Sequence, residues 1–490
     1  MRTRKAEPQG LAFREDDDLP EGWTAATIGD ITVRKVAQSG PSKGQEFLYV
    51  DIASVDNERK RITAPRAVPT GEAPSRARQV VRSGDVLVSM TRPNLNSVAL
   101  VGPELDGSIA STGFDVLRSI ESLPGWLFLV VRGEAFVEAM TNSVQGALYP
   151  AIRPRDVRGF EFPLPPLPEQ RRIVEKVEAL LARVNAARAR LARAPALLKA
   201  FRQAVLSAAC SGRLTGSWRG AEIEDGEIPE SWNRIPLEDL LSERGLFDGP
   251  FGSSLKSDDY TNSGVRVVRL ENIGHLKFVG EKECFVSQEK YSTLTKHTVG
   301  EGDIIFGSFV EDDVRVCMLP RFTTKAIAKA DCFCIRPKAN FVSKRYLTLQ
   351  LAGRESYDSL VSEIHGATRP RVNTKQLRSL EINVAPLLEQ REIVRRVEAL
   401  FALADAIEAK VAAAQKRADA LTQAILAKAF RGELVPTEAA LARTEGRPYE
   451  TAAQLLDRVV TREENAGAAK SSLPSKGRRS RHLGQSGGDR

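Results

Sequence analysis

The sequence predicts an α+β protein in which two pseudo-repeated mixed domains are separated by two long helices that pair as an antiparallel coiled coil. Three observations predict it. A chain of 490 residues exceeds the roughly 250–300 at which a single core stops growing. Shifted by 220 positions, the sequence matches itself without a gap, from Gly146-Ala147 over Gly366-Ala367 to Gly212-x-Leu214 over Gly432-x-Leu434. Before each copy lie short apolar runs broken by turn residues, the signature of strands.

The repeat is strongest where it is helical: residues 169–214 and 389–434 share 21 identities in 46 positions. Apolar residues step by four and three through Ile173, Val177, Leu180, Val184, Ala187, Leu191, Ala194, Leu198, Phe201 and Val205. They repeat as Ile393, Val397, Leu400, Ala404, Ile407, Val411, Ala414, Ala418, Leu421 and Ile425. A 4-3 step sustained over five heptads is a coiled-coil seam, and each helix of about 40 residues would be roughly 60 Å long. Pro168 and Glu169 suit a first turn, Gly212 and Gly432 an end. Paired antiparallel with 173 beside 425, the helices would set Leu180 against Ala418, Val184 against Ala414, Ala187 against Val411 and Leu198 against Leu400. Pro195 removes a backbone bond and should kink the first helix; the second has Gln415 there.

Upstream the copies have diverged. LPEGW (19–23) echoes IPESW (228–232) at an offset of 209, and GDVLV (84–88) echoes GDIIF (302–306) at 218. The runs FLYVDIASV, VLVSM, VALVG and FDVLR precede the helical LPGWLFLVVRGEAFVEAM; VRVVRLENI, DIIFGSF, VRVCML and CFCIRP precede SKRYLTLQLAG. Strands followed by a helix, twice, give two α+β domains. The expected division is a flexible N-terminus (1–18), a first domain (19–165), the first helix (166–212), a linker (213–227), a second domain (228–385), the second helix (386–436) and a largely disordered basic tail (437–490).

The hydrophobic fraction of 42% and charged fraction of 27% are ordinary for a globular chain. No run approaches the roughly 20 apolar residues of a membrane span, and MRTRKAEPQGLAFREDDD lacks the apolar stretch of a signal peptide, so a cytoplasmic protein without membrane contact is expected. Five cysteines without a CxxC motif argue against a disulfide framework; Cys332 and Cys334 alternate as strand residues on one face. The four histidines have no partner at metal-ligand spacing, and GxSxG, HExxH, GxxxxGK[ST] and Asn-Pro-Pro-aromatic motifs are absent. No catalytic residue, metal site or cofactor motif is assigned, and a single-chain methyltransferase is disfavoured.

The net charge of +8 is uneven: residues 470–490 hold six Lys and Arg against one Asp, +5, leaving +3 for the rest. Local clusters are more telling. Residues 59–92 hold eight Lys and Arg against Glu72 and Asp85, a net +6; Arg153 and Arg155 precede the first helix; GATRPRVNTKQLR carries Arg369, Arg371, Lys375 and Arg378 with no acid. Such clusters on turn-rich segments suit phosphates, while Arg, Asn and Ser at loop tips suit base edges. The candidate DNA contacts are Arg76, Arg78, Arg92, Asn94, Asn96, Arg153, Arg155, Ser253, Ser254, Lys256, Arg369, Arg371 and Lys375.

The motifs PLPPLPEQRRIVEKVEAL and APLLEQREIVRRVEAL, the helix exits FRQAVLSAACSGRLT and LTQAILAKAFRGELVP, and the openings LPEGW and IPESW resemble specificity subunits of type I restriction-modification systems over residues 19–436. GPFGSSLKSDDYTNSGVRVVRLENIG and GDVLVSMTRPNLNSVALV are also similar to that family. The resemblance implies two target recognition domains, each reading half of a bipartite asymmetric site in double-stranded DNA, and helices acting as a spacer. It implies a non-catalytic subunit that docks two adenine methyltransferase subunits, which use S-adenosylmethionine, and restriction endonuclease/translocase subunits. The alternative is a coiled-coil adaptor with two protein-binding arms, which the salt dependence of binding separates from DNA recognition.

Overall fold

The computed structural model describes residues 19–41, 46–144, 150–224, 227–362 and 370–471. It falls into two compact units that cut across the linear division expected from sequence. One joins the residues up to 189 with those from 415 onward; the other spans 190–414. Each unit therefore combines one α+β domain, the start of its own repeated helix and the end of the other repeat.

In unit 1, strand Thr24–Thr27 pairs antiparallel with Glu161–Leu164, bringing both ends of the domain to the spacer helix. A three-stranded sheet (Phe114–Leu117, Val86–Ser89, Val98–Leu100) and a four-stranded sheet (Arg66–Pro69, Glu46–Val50, Ile109–Ser111, Ala77–Val80) form the body. Val50, Leu87, Ala99, Phe114 and Val116 form one core of this body. Helices Pro124–Val130 and Glu134–Asn142 follow. Buried Trp126 packs edge-on against Trp23 (5.9 Å) and Phe430 (5.5 Å), so one aromatic stack joins domain opening, domain helix and the end of the second repeat.

Unit 2 repeats this plan. Asn233–Pro236 pairs with Glu381–Val384, a four-stranded sheet contains Cys332–Pro337 and Ile304–Gly307, and a five-stranded sheet is centred on Val265–Val268. Cys332 and Cys334 are buried with Cys317 in one apolar core, and burial pushes all three thiols up, which fits packing groups. Tyr346 stands where unit 1 has Trp126, edge-on to Trp232 at 6.2 Å.

The second repeated helix is unbroken over Leu387–Phe430, 44 residues, or about 66 Å. The first is not: it runs Leu167–Leu191 and resumes at Ala194–Cys210, with Pro195 in the new first turn. The expected kink appears as a break at the two turn residues 192–193, because proline supplies no N–H and clashes with the preceding turn.

Pairing is antiparallel within each unit. In unit 1, Arg188 donates to the Ala418 carbonyl (3.2 Å), Asp419 (2.7 Å) and Thr422 (3.1 Å); in unit 2, Arg202 binds Asp405 (2.6 Å) and Glu408 (2.8 Å). The register expected above would place 410 opposite Arg188 and 396 opposite Arg202, so both reach at least eight residues further. Helical side chains lean about one turn toward their own N-terminus, which leaves the backbone pairing displaced by about four residues. Val184 and Ala418 are buried in one core, and Leu198 and Ala404 are buried as well. Two expected seam members are not buried: Ile407 and Leu421 are 40% and 51% exposed. Ile173, Val177, Val184, Leu198, Val205, Ile393, Val397 and Ile425 are buried, and Leu180, Leu191, Phe201, Leu400 and Val411 half-buried.

The tail is a second correction. Of residues 437–490, expected to be largely disordered, Glu438–Glu445 and Ala452–Ser471 are helical, with Ala452, Leu455 and Val459 buried; residues 472–490 lie outside the described residues. Among the described residues no helix is long and apolar enough to cross a membrane.

Candidate nucleic-acid interface

The repeated Glu-Gln of the helix starts builds the scaffold of each candidate surface. In unit 1, Trp23 Nε1 donates to Glu169 (3.0 Å), whose second oxygen accepts the Glu438 N–H (2.8 Å). Gln170 accepts the Leu123 N–H (2.9 Å) and donates to the Pro165 carbonyl (2.9 Å). In unit 2, Trp232 Nε1 donates to Glu389 (3.0 Å), which also accepts from Thr215 (2.7 Å) and Arg219. Gln390 accepts the Ser343 N–H and donates to the Ala385 carbonyl, both at 2.8 Å. Burial pushes the Glu169 carboxyl above its ordinary range, against the donors from Glu438 and Trp23. The helix exits close the clamp: Gly212 and Gly432 have φ of +81° and +69°, and a Cβ there would stand 2.7 Å from Pro229 and Pro20, respectively. LPEGW, IPESW, the Glu-Gln pairs and the two exit glycines are thus parts of one interlock, built twice.

A second duplicated lock accounts for the GDVLV and GDIIF echo. Asp85 takes two hydrogen bonds from Arg118 (2.8 and 2.7 Å), and Asp303 two from Arg336 (3.0 and 2.6 Å). These pairs, like Arg158 on Asp115 (2.8 Å), are structural.

Between the locks each unit carries the same pair of loops. In unit 1, Arg92 N–H donates to the Pro150 carbonyl and Ile152 N–H to that of Met90, both at 2.9 Å. In unit 2, Val310 N–H donates to the Pro370 carbonyl (3.1 Å) and Val372 N–H to that of Ser308 (2.7 Å). The backbone frame is identical, but its side chains differ: Arg92 stands where unit 2 has Val310, and Arg371 where unit 1 has Ala151.

On the first frame, Arg92, Asn94, Arg153 and Arg155 are exposed, with Asp156 3.5 Å from Arg155 and accepting the Arg153 N–H (2.8 Å). Arg92 and Asn96 adopt the left-handed conformation at φ 49° and 45°, turning the loop sharply at both ends. Asn96 is buried, and Lys60 Nζ ties down its carbonyl at 2.6 Å, which tells against Asn96 as a base contact. Arg76 and Arg78 are exposed at the sheet-edge strand Ala77–Val80, with Arg78 Nε on the Ser75 carbonyl at 2.9 Å.

On the second frame, the Arg371 guanidinium lies over Phe251 (5.9 Å) and Phe309 (5.8 Å) and pairs with Asp331. The cluster that holds no acid in sequence therefore receives one from a distant loop. Phe251 is exposed and opens the turn Gly252–Ser254; Ser254, Lys256 and Lys375 are exposed, and the Ser253 side chain lies outside the described residues. Arg369 lies outside the described residues. Phe251, Phe309 and Asp331 escaped sequence reasoning, since only the fold brings them to Arg371. Among the described residues no group of three His, Cys, Asp or Glu side chains could hold a metal.

The scaffold is thus built twice, with unlike polar loops on like frames. Residues 229–414 match the type I restriction modification DNA specificity domain. The chain is 32% identical over 367 residues to the EcoBI specificity subunit of Escherichia coli, covering 72% of each. It is 27% identical over 475 residues to the EcoKI specificity subunit of E. coli K12, covering 93% of this chain and 98% of that one. Among solved structures it is similar to a chain from a study of complex assembly in the type I R-M system (TM-score 0.68, 28% identity, 85% of this chain and 99% of that). It is also similar to the HsdS subunit of Thermoanaerobacter tengcongensis (TM-score 0.56, 27% identity, 86% and 99%). The chain belongs to the family of type I restriction-modification specificity subunits, DNA-recognition subunits rather than catalytic ones.

Proposed function

We propose that each unit reads one half of a bipartite, asymmetric site in double-stranded DNA through its paired loops, and that the repeated helices hold the halves at a set spacing. The observation that carries this reading is the doubled frame with unlike side chains: Arg92, Asn94, Arg153 and Arg155 on one, Phe251, Ser254, Arg371 and Lys375 on the other. Exposed arginines suit phosphates and guanine edges, Asn and Ser other base edges. In this reading the chain works in the cytoplasm and positions two modification subunits, which bring S-adenosylmethionine and extrude the target adenine, and a restriction subunit.

The test is DNA binding by the assembled complex. Arg92→Ala and Arg153→Ala should each lower affinity, and each lost phosphate contact should reduce the salt slope by about one. If Arg92 reads a guanine, selectivity at that base pair relaxes by about 1–3 kcal/mol. Unchanged affinity and slope in the double variant would remove this loop from the interface and favour the protein-binding adaptor.

A further inference from the structure

The two units differ in charge at one duplicated place, a hairpin beside the recognition loop. In unit 1 the strands Val55–Asp56 and Arg61–Ile62 pair antiparallel, and Lys60 closes their turn in the left-handed conformation at φ 55°. In unit 2 Ile273 and Phe278 bridge in the same way, and the turn residue is Leu276 at φ 57°. Just after the helix Pro124–Val130 stands Arg132; the position 220 residues on is Ala352, which is buried. Leu276 lines a small apolar groove with Val394, Val397 and Phe401. The same frame is thus built with two neutral side chains in unit 2 and with two cations in unit 1.

Among the described residues neither Lys60 nor Arg132 forms an ion pair. Lys60 Nζ gives one hydrogen bond to the Asn96 carbonyl, while the Arg132 guanidinium lies over the Phe128 ring at 5.0 Å and gives none. Asp56, the acid of the hairpin, is already engaged by the Glu58 and Arg59 N–H groups and by the Arg59 guanidinium at 3.6 Å. Burial lowers the pKa of Arg132 against the charge of Glu178; burial, then the charge of Arg132, holds Lys60 down at about 8. Two like charges brought together out of bulk water are unfavourable, and the neutral pair in unit 2 shows that the frame does not need them. Both flank the recognition loop: Lys60 through Asn96, and Arg132 because the helix Glu134–Asn142, which begins two residues on, packs against the turn Pro93–Leu95.

We propose that Lys60 and Arg132 together hold one phosphate of the DNA backbone, beside the half-site that the Arg92–Asn96 loop reads. The Arg132 fork and the remaining Lys60 donors supply charge-assisted bonds of the kind phosphates take. The phosphate offsets the repulsion between the two cations. It also fixes the loop against the duplex without reading sequence, as backbone contacts do. Leu276 and Ala352 offer no side-chain donor, so unit 2 lacks this contact and the two half-sites are gripped unequally. The inference rests on the DNA reading above.

The complex of the full chain with its modification subunits is titrated with duplexes carrying its site, each with one methylphosphonate, a neutral replacement for a phosphate. Arg132→Ala should weaken binding to every sequence alike and reduce the salt slope by about one. A fourfold rise in salt should then cost it about three times less affinity than wild type. At one position in the half-site of unit 1 a methylphosphonate should weaken wild type and leave Arg132→Ala and Lys60→Met unaffected, which a packing role alone would not produce. Arg132→Lys should keep the salt slope. Circular dichroism checks that the variants fold, and Ala352 shows that alanine fits this place. If Arg132→Ala matches wild type in affinity, slope and methylphosphonate profile while Arg92→Ala weakens binding, the clamp is overturned and the DNA reading stands. If the wild-type complex binds no DNA, both fall. Inorganic phosphate that raises the melting temperature of wild type but not of Arg132→Ala, with equal DNA affinities, would give the site to a free anion and overturn the proposal. Loss of a modification subunit from Arg132→Ala by native mass spectrometry, with the methylphosphonate profile unchanged, would give it to a carboxylate of that subunit and overturn it as well.

Discussion

Glu169 and Glu389 are the residues on which most of the duplicated sequence converges. Each is a buried carboxylate whose lone pairs are taken by an indole and by groups from a distant segment. Removing one donor from a buried charged acceptor costs about 1.5–3 kcal/mol. Trp23→Phe and Trp232→Phe should therefore each destabilise their own unit by about that much, read as a lower urea midpoint at unchanged slope; equal midpoints would mean that the indole bonds add nothing. Lys60 supports a different prediction. Burial, then the charge of Arg132, lowers its pKa from 10.5 to about 8. Because the folded pKa lies below the unfolded one, the unfolded chain binds more protons between these values, and stability contributed by this group rises with pH from about 8 to 10.5. With 13C-methylated lysines, the Lys60 resonance should titrate near 8 and surface lysines at roughly 10; a Lys60 midpoint above 10 would refute its burial.

At the level of elements, the helices after residue 436 act as the missing wall of unit 1. They supply the Glu438 N–H to Glu169, an ion pair from Arg172 to Glu438 at 2.7 Å, and buried Ala452, Leu455 and Val459. A chain ending at Pro436 should lose about 3 kcal/mol or more from unit 1 and nothing from unit 2. Calorimetry would show the unit 1 transition moving down alone; coincident, unshifted transitions would contradict it. These helices were unreadable from composition because the Ser-, Gly- and Arg-rich end masked them, and their apolar stripe is only three residues long. The 4-3 step, by contrast, announced the spacer helices, since seam periodicity depends on local spacing alone. It left the register open: an alanine-rich seam has several nearly equal layer matches, and the ion pairs of Arg188 and Arg202 select among them.

For the whole molecule, the second helix of 44 residues and its interrupted partner set the length available to a spacer. Deleting one heptad from each along the observed register, 184–190 with 412–418, keeps the seam in phase and removes about 10 Å, close to three base pairs at roughly 3.4 Å each. A host carrying the variant should methylate a motif with unchanged halves and a spacer about three base pairs shorter. An unchanged spacer in an active variant would mean that something other than these helices separates the half-sites. Deleting four residues from one helix alone should rotate its later seam away and destabilise the pair.

The duplication, the antiparallel helices, the two α+β domains and the family were all legible in the sequence, because each leaves a local trace: an offset of 220, a 4-3 step, alternating apolar runs, a Pro-Leu-x-x-Glu-Gln turn. What only the tertiary structure decided is which segments complete which unit. Residues 415–471 belong with 19–189, and Glu169 meets Glu438 across 269 positions. It also decided that Arg371 is faced by Asp331 and two phenylalanines, and that Asn96 is buried while Asn94 is not. Such pairings follow from chain return and side-chain packing, which depend on the whole fold rather than on spacing along the sequence.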